Sequence, residues 1–137
     1  MRSVALLLLL LAACWDADDS LVVDLGVITT SFELGPSIEH PAVAQSGADA
    51  SVTVLTYGDD CTWGKRTDVE VTGLIAVIRP FDESAVESLC GDAVFSYRHT
   101  TSIRFEQAGM ATITVLGYEE GDRFGTVVQR SSTFEIQ

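Results

Sequence analysis

Apolar and polar residues alternate with a period of two along most of the chain after residue 20. Val52 and Val54 alternate with Ser51 and Thr53, and the stretch 111–115 repeats the pattern with threonines between its apolar residues. Every second side chain of a strand points to the same face of a sheet, so this pattern is typical of half-buried antiparallel strands. The alternation therefore predicts an all-β domain.

Gly, Pro and Asp residues, which favour turns, divide this region into short segments. The predicted strands cover 21–25, 27–34, 50–57, 67–72, 74–79, 94–106, 110–118 and 124–136. The segment 74–78 is apolar on both faces, which indicates a central strand that ends at Arg79-Pro80. Asp82 as a cap and Gly91 beyond the end predict one short surface helix over Glu83–Leu89. Seven or eight short strands favour a β-sandwich.

The stretch from Arg104 to Tyr118 has a strand that ends in Phe105, a turn with Gly109 and an alternating return strand. In this order it resembles the penultimate strands of immunoglobulin-like bacterial domains. The resemblance implies an antiparallel immunoglobulin-like β-sandwich over residues 21–137. It implies no particular activity, because such domains serve adhesion, inhibition, structural linkage and enzyme accessory roles alike.

The first residues have the order of an export signal. Arg2 supplies one positive charge, and the run from Val4 to Ala13 consists of ten apolar residues. A helix that spans a bilayer needs about 20 such residues. A run of ten is instead typical of the core of a signal peptide.

Leu11-Ala12-Ala13-Cys14 resembles the lipobox of bacterial lipoproteins. The resemblance implies that residues 1–13 are a cleaved signal peptide, that the Cys14 thiol carries lipid, and that residues 14–20 form a short acidic tether. Trp15 stands where enteric lipoproteins of the inner membrane usually carry Asp, so the implied address is the outer membrane more than the inner. An ordinary secretory signal is the alternative, but Leu11 does not suit the small-residue position of its cleavage site.

If Cys14 is lipidated, Cys61 and Cys90 remain. An exported chain folds in an oxidising compartment, where such a pair is expected to form a disulfide. Both residues fall between predicted strands, so we expect a cross-link between two loops. Metal binding with His40 and His99 is not favoured because the spacing is not that of a zinc site. The sequence therefore predicts no metal and no cofactor.

The charge of the chain is strongly acidic. Asp and Glu number 20 against 8 Lys and Arg, and Arg2 is the only charged residue before Cys14, so the mature chain has a net charge of −13. This balance argues against nucleic acid as a partner, because the phosphate backbone would be repelled. The mean hydropathy of +0.26 argues against a disordered acidic chain.

The residues indicate no familiar catalytic set. His40 precedes Pro41 in a loop, and His99 is predicted to be a hydrogen-bonded surface residue at the start of a strand. Two alternatives to a non-catalytic binding or structural module stay open. One is an enzyme with an unrecognised carboxylate site. The other is a protease inhibitor, because Arg79-Pro80-Phe81 is similar to one loop of the chagasin-type cysteine-protease inhibitors, although the other motifs of that family are absent.

Two segments carry aromatic and charged residues that suit recognition. The candidate partner-binding residues are Tyr57, Trp63 and Lys65 around Cys61, and Tyr118 and Phe124 farther along. The sequence thus predicts a bacterial envelope protein, held on the bilayer through acylated Cys14. Its domain is expected to be a non-catalytic binding or structural module for an envelope protein or polymer.

Overall fold

The computed structural model describes residues 21–29, 37–85, 89–121 and 126–137. All elements within these ranges are β-strands, which confirms the all-β prediction. They are β1 Leu21–Leu25, β2 Val27–Thr29, β3 Ile38–Glu39, β4 Val43–Ala44, β5 Asp49–Gly58, β6 Thr62–Thr72, β7 Ile75–Ala85, β8 Phe95–Arg104, β9 Gly109–Glu119 and β10 Val127–Ile136. Within the same ranges, no helix is long and apolar enough to cross a membrane. The predicted signal peptide, Cys14 and the tether lie outside the described residues.

The described strands belong to one mixed sheet that curls around a single core. Most neighbouring strands are antiparallel, but β7 pairs with β9, β2 with β9 and β4 with β10 in parallel. This corrects the prediction of a purely antiparallel arrangement. The correction has a physical reason: alternation reports which side chains face the core, and it carries no information on the direction of the neighbouring strand.

Strand β2 lies between β9 and β5 in the curled sheet. It pairs with β9 on one side and with β5 on the other. The close approach of β2 to β9 requires glycine, since a Cβ at Gly117 would lie 2.5 Å from Ile28 Cγ2 and 2.6 Å from the Gly26 carbonyl oxygen. Gly117 therefore allows β2 to close this side of the sheet.

On the opposite side of the sheet, two neighbouring strands of the described ranges are not joined by backbone hydrogen bonds. Among the described residues, β6 forms its ladder with β7, and β8 forms its ladder with β5. The facing edges of β6 and β8 lie beside each other without a ladder between them. We call this unpaired boundary between β6 and β8 the seam.

The core follows the predicted alternation. The inward residues of β5, β7 and β9 are almost completely buried, whereas Val71 of β6 is 40% exposed. Phe105 meets Phe134 edge-on with ring centroids 5.8 Å apart. Full burial of each such side chain contributes about 1.5–3 kcal/mol. The buried apolar side chains of the core include Ile28, Val52, Val54, Ile78, Ile103, Phe105, Ile113, Val115, Phe134 and Ile136.

Strand β7 corrects two predictions. It does not end at Arg79-Pro80 but continues to Ala85, so the first residues of the expected helix Glu83–Leu89 are extended and pair with β1 and β6. Residues 86–88 lie outside the described ranges. Pro80 is tolerated because it stands between the part of β7 that pairs with β9 and the part that pairs with β1, where its carbonyl accepts a hydrogen bond from Gly26 N at 2.9 Å.

Because β7 continues through Arg79-Pro80, the predicted inhibitor loop is part of a strand. Arg79-Pro80-Phe81 lies inside β7, with β6 along one side and β1 beginning to pair at Phe81 on the other. A segment held in a ladder on both sides does not project into a protease cleft. The residues that suggested a protease inhibitor therefore do not form a loop in this fold.

Candidate functional site

A groove runs along the seam between β6 and β8 and encloses about 300 Å³. Four of its residues come from β6 and four from β8. We call it the β6–β8 groove, and its lining residues are Gly64, Lys65, Arg66, Thr67, Arg98, His99, Thr100 and Thr101. The lining contains three cationic side chains, three hydroxyls and one imidazole, with neither a carboxylate nor an apolar side chain.

A β-bulge in β6 brings two of these cations to the groove. Gly64 pairs with Asp82 and Arg66 with Phe81, so Lys65 is an extra residue without a partner position on β7. Such a bulge changes the direction in which side chains leave the strand. Lys65 and Arg66 lie at this bulge, and both line the groove.

Ion pairs and one aromatic contact hold the three cations. Lys65 Nζ lies 3.0 Å from Glu83 Oε1, and Arg98 Nη2 lies 2.6 Å from Glu39 Oε2. The Glu39 carboxylate raises the pKa of Arg98 above its ordinary value. The guanidinium of Arg66 sits over the ring of Phe81 at 4.0 Å.

The carboxylate of Glu83 also anchors the aromatic residue beside the groove. Trp63 Nε1 donates a hydrogen bond to Glu83 Oε2 at 2.8 Å, and Lys65 Nζ donates to the same oxygen at 3.1 Å. The bonds from Lys65 and Trp63 lower the pKa of Glu83 below its ordinary value. Trp63 keeps 38% of its surface exposed. Lys65 and Trp63, both predicted as recognition residues, are therefore fixed side by side at one end of the groove.

His99 forms the floor of the groove and is the main correction to the predicted site. It lies in the middle of β8 and is only 5% exposed, so it is not a surface histidine at the start of a strand. Its Nε2 lies 2.8 Å from Asp82 Oδ1, and its Nδ1 lies 3.2 Å from Thr67 Oγ1. Thr56 Oγ1 donates to the same Asp82 oxygen at 3.1 Å.

These four side chains link four strands. Thr56 belongs to β5, Thr67 to β6, Asp82 to β7 and His99 to β8. Because Asp82 Oδ1 accepts, Nε2 of His99 donates to it, and Nδ1 is hydrogen-bonded to the Thr67 hydroxyl. His99 therefore connects β8 to β6 across the seam, where no ladder joins the two strands. We call Thr56, Thr67, Asp82 and His99 the seam cluster.

Gly64 allows β6 to pass over the imidazole ring. A Cβ built at this position would lie 3.3 Å from both Cε1 and Nε2 of His99, closer than ordinary van der Waals contact. The glycine thus lets the bulged part of β6 lie directly on the ring. The seam cluster and the bulge together determine where the groove floor lies relative to Lys65 and Arg66.

The order hydroxyl, imidazole, carboxylate also occurs in nucleophilic hydrolases. In the seam cluster, however, the donors and acceptors satisfy one another, and no buried side-chain nitrogen or oxygen of the described residues lacks a partner. The carboxylate is shared between His99 and Thr56, and the hydroxyl next to the imidazole belongs to a threonine. This arrangement is that of a satisfied buried polar network, which specifies a single packing of the strands.

The predicted disulfide is confirmed. Cys61 lies in the turn between β5 and β6, Cys90 lies in the segment before β8, and their sulfurs are bonded with a Cα–Cα distance of 5.5 Å. It therefore links two loops, as expected. The neighbouring carboxylates hydrogen-bond within and between the same two loops. Asp59 Oδ1 accepts from Cys61 N and Thr62 Oγ1, and Asp60 Oδ1 accepts from Gly91 N.

The ligand atoms of Asp59, Asp60, Cys61 and Cys90 lie within 4.8 Å of one another. Such a group suits a metal only if the sulfurs are thiolates. Here the two sulfurs are bonded to each other, and the carboxylates accept hydrogen bonds from the loop. Tyr97 also contacts this group of residues, because its hydroxyl donates to the Asp59 carbonyl. Burial raises the pKa of Tyr97, and Asp59, Asp82 and Asp60 add to the effect.

Two of the remaining predicted recognition residues, Tyr57 and Tyr118, lie apart from the groove lining. Tyr57 is 5% exposed within β5, where it pairs with Val27 and Ser96, so it is a packed strand residue and not part of a recognition loop. Tyr118 lies near the end of β9, and its hydroxyl donates to Asp24 Oδ1 at 3.3 Å. Burial and the Asp24 carboxylate raise its pKa. Phe124 lies outside the described residues.

His40 packs against the core from outside the strands. Its ring stacks on Phe134 with centroids 4.8 Å apart, and its Nε2 lies 2.7 Å from Ser132 Oγ. The residues that the sequence interpretation missed are Arg66, Arg98 and the seam cluster. A signal for His99 existed, because the alternation that places Ile103 and Phe105 inward also places His99 inward when it is extended backwards along β8.

Comparison of the chain with models of protein families, with curated proteins and with solved structures gives no match.

Proposed function

We propose that this protein is a lipid-anchored bacterial envelope lipoprotein whose β domain is a non-catalytic binding module. The β6–β8 groove is its binding site. One observation carries this assignment: the groove concentrates three of the seven cations of a mature chain that has a net charge of −13, and no carboxylate lines it. Concave sites with convergent polar groups are where proteins bind ligands.

The proposed anchor is compatible with the place where the domain begins. Leu21 pairs with Ala85, and Ala85 N donates to the Cys61 carbonyl, so the chain enters the domain beside the disulfide. A tether of about six residues spans at most ~20 Å when fully extended. The domain would therefore work close to its own bilayer, which by the lipobox resemblance is the outer membrane more than the inner.

The immunoglobulin-like classification of the fold belongs to the same proposal. Seven of the strands have five residues or more, namely β1 and β5 to β10, and they pair mostly antiparallel around one core. The number of long strands and the layered core support a variant of this fold in which β2 and β7 pair with β9 in parallel. In such a fold, rigid strands carry the surface that binds the ligand.

The anchor is tested by labelling. In the native bacterium, labelled palmitate is expected to enter the wild-type protein and not Cys14→Ser, which should accumulate as an uncleaved precursor. Two lipid chains are enough for stable attachment, because each buried methylene contributes about 0.8 kcal/mol. Equal labelling of both proteins would refute the lipoprotein assignment.

The binding function is tested by crosslinking and affinity capture from the native envelope. We expect the wild-type protein to capture one partner reproducibly, and Arg98→Ala and Trp63→Ala to reduce its recovery several-fold. Arg104→Ala is the matched control, because Arg104 lies on the same strand, is similarly exposed, and pairs with Glu106 outside the groove. Recovery that falls equally in all three variants would contradict the groove as the site. Turnover of an envelope polymer by the purified protein would replace this proposal with the enzyme alternative.

A further inference from the structure

We propose that the ligand of the β6–β8 groove is a compact oxyanion with two negative charges, of the class of phosphate and phosphomonoesters. This inference rests on the groove being the binding site, as proposed above. It adds the chemistry of the ligand, and the argument depends on the composition of the lining, the size of the groove and the charge around it.

The lining offers hydrogen-bond donors and positive charge. Lys65, Arg66 and Arg98 surround a floor of threonine hydroxyls and His99. A ligand that matches the three cations must present acceptors and negative charge, because a cationic ligand would be repelled and an apolar ligand would displace water from their N–H groups without replacing its hydrogen bonds. A phosphate dianion presents three acceptor oxygens. A carboxylate presents two oxygens and one negative charge, which is a poorer match for three cations.

The existing ion pairs leave donors available. Arg98 binds Glu39 through Nη1 and Nη2 and keeps further N–H groups, and Arg66 contacts Asp68 through Nε at 3.4 Å. These pairs are exposed at the surface, where an ion pair is worth little. The stacking of Arg66 on Phe81 keeps its guanidinium in place without using its N–H groups. A bound oxyanion can thus share these cations without first breaking a buried interaction.

Size and charge restrict the ligand further. A volume of about 300 Å³ is at the small end for ligand sites and accommodates a phosphate or a small phosphomonoester. Beyond the groove the acidic surface repels anions, and Glu39, Asp68 and Glu83 flank the cations directly. At physiological salt the attraction of the cations is screened over ~8 Å. A long polyanion would therefore be repelled along most of its length, whereas a compact dianion stays among the cations.

The test is calorimetric titration of the purified full chain with three probes at low ionic strength. The probes are inorganic phosphate, glucose 1-phosphate and glucuronate. We expect saturable 1:1 binding of both phosphates and binding of glucuronate that is at least about tenfold weaker. Tighter binding of glucose 1-phosphate than of inorganic phosphate would identify a glycosyl phosphate as the source, and equal binding would identify the free anion.

Variants locate the binding. Arg98→Ala and Arg66→Ala should each weaken phosphate binding at least about tenfold, because each removes charge-assisted hydrogen bonds. Arg104→Ala removes the same charge from the same strand as Arg98 and should leave binding unchanged. Circular dichroism confirms that each variant is folded. Loss of binding by the same factor in Arg104→Ala would overturn the proposal, since it would show a response to net charge alone.

Two further outcomes are decisive. Absence of saturable phosphate binding in the wild-type protein, or glucuronate binding as tight as that of the phosphates, would refute the dianion assignment. These results are independent of envelope capture. Phosphate binding by the purified protein without any captured partner would uphold the ligand chemistry and contradict the proposed envelope partner. Capture of a partner without phosphate binding would uphold the envelope partner and contradict the ligand chemistry.

Discussion

Replacement of Asp82 by Ala is expected to lower the free energy of unfolding by about 2–3 kcal/mol, because leaving a buried donor without its acceptor usually costs about 1–3 kcal/mol. Asp82 is 6% exposed and accepts hydrogen bonds from His99 and Thr56 through Oδ1. Without the carboxylate, the Nε2–H of His99 and the hydroxyl of Thr56 lose a buried acceptor. Urea denaturation followed by circular dichroism measures the change.

Two variants make this prediction specific. Asp82→Asn keeps the size and one acceptor oxygen, so it should cost clearly less than Asp82→Ala. Asp68→Ala removes a carboxylate that is about half exposed on the neighbouring strand, and it should change the free energy of unfolding by less than about 0.5 kcal/mol. A loss below about 1 kcal/mol in Asp82→Ala would show that the seam cluster does not hold β6 and β8 together.

Removal of the disulfide is expected to cost about 3–4 kcal/mol. The bond joins Cys61 to Cys90 at a sequence separation of 29 residues. In the chain-entropy model, a cross-link that closes a loop of this length lowers the conformational entropy of the unfolded chain and thereby stabilises the fold by this amount. The loop contains β6 and β7, and with them Asp82, Lys65 and Arg66. The double variant Cys61→Ser, Cys90→Ser should therefore unfold at lower urea concentration than the wild-type protein.

A second measurement tests the same prediction if the double variant does not fold. Urea denaturation of the wild-type protein is repeated in the presence and absence of a phosphine reductant, with thiol alkylation to confirm that the bond has opened. The transition midpoint of the wild-type protein should fall on reduction, and the reductant should leave the midpoint unchanged in a double variant that does fold. Equal stability of the oxidised and reduced wild-type protein would contradict the prediction.

The two effects act on different sides of the groove. The seam cluster connects β6 and β8 through side chains in the middle of the strands, and the disulfide joins the loops that precede these two strands. Since the seam has no ladder, these two links hold the groove walls at their separation. Both changes should for this reason weaken phosphate binding as well as stability, whereas Arg98→Ala should weaken binding alone.

Local patterns explain most of the strand predictions. The alternation of apolar residues correctly predicts the inward faces of β5, β9 and β10, because burial of one face acts on each strand separately. The predicted end of β7 is wrong, because it is based on Pro80, and proline is normally excluded from a central strand. Only the change of partner from β9 to β1 at this point makes the missing N–H harmless. The two-residue strands β3 and β4 are too short to produce a periodic pattern.

By itself the sequence determines that this chain forms strands, which residues enter the core, and that Cys61 and Cys90 can be joined. These properties depend on side-chain character along one strand or on a simple count. Only the tertiary structure decides that Thr56, Thr67, Asp82 and His99 meet, and that Lys65, Arg66 and Arg98 line one groove. The physical reason is that these contacts depend on which strands become neighbours, on a bulge that adds one residue to β6, and on a boundary between β6 and β8 that is closed by side chains in place of a ladder.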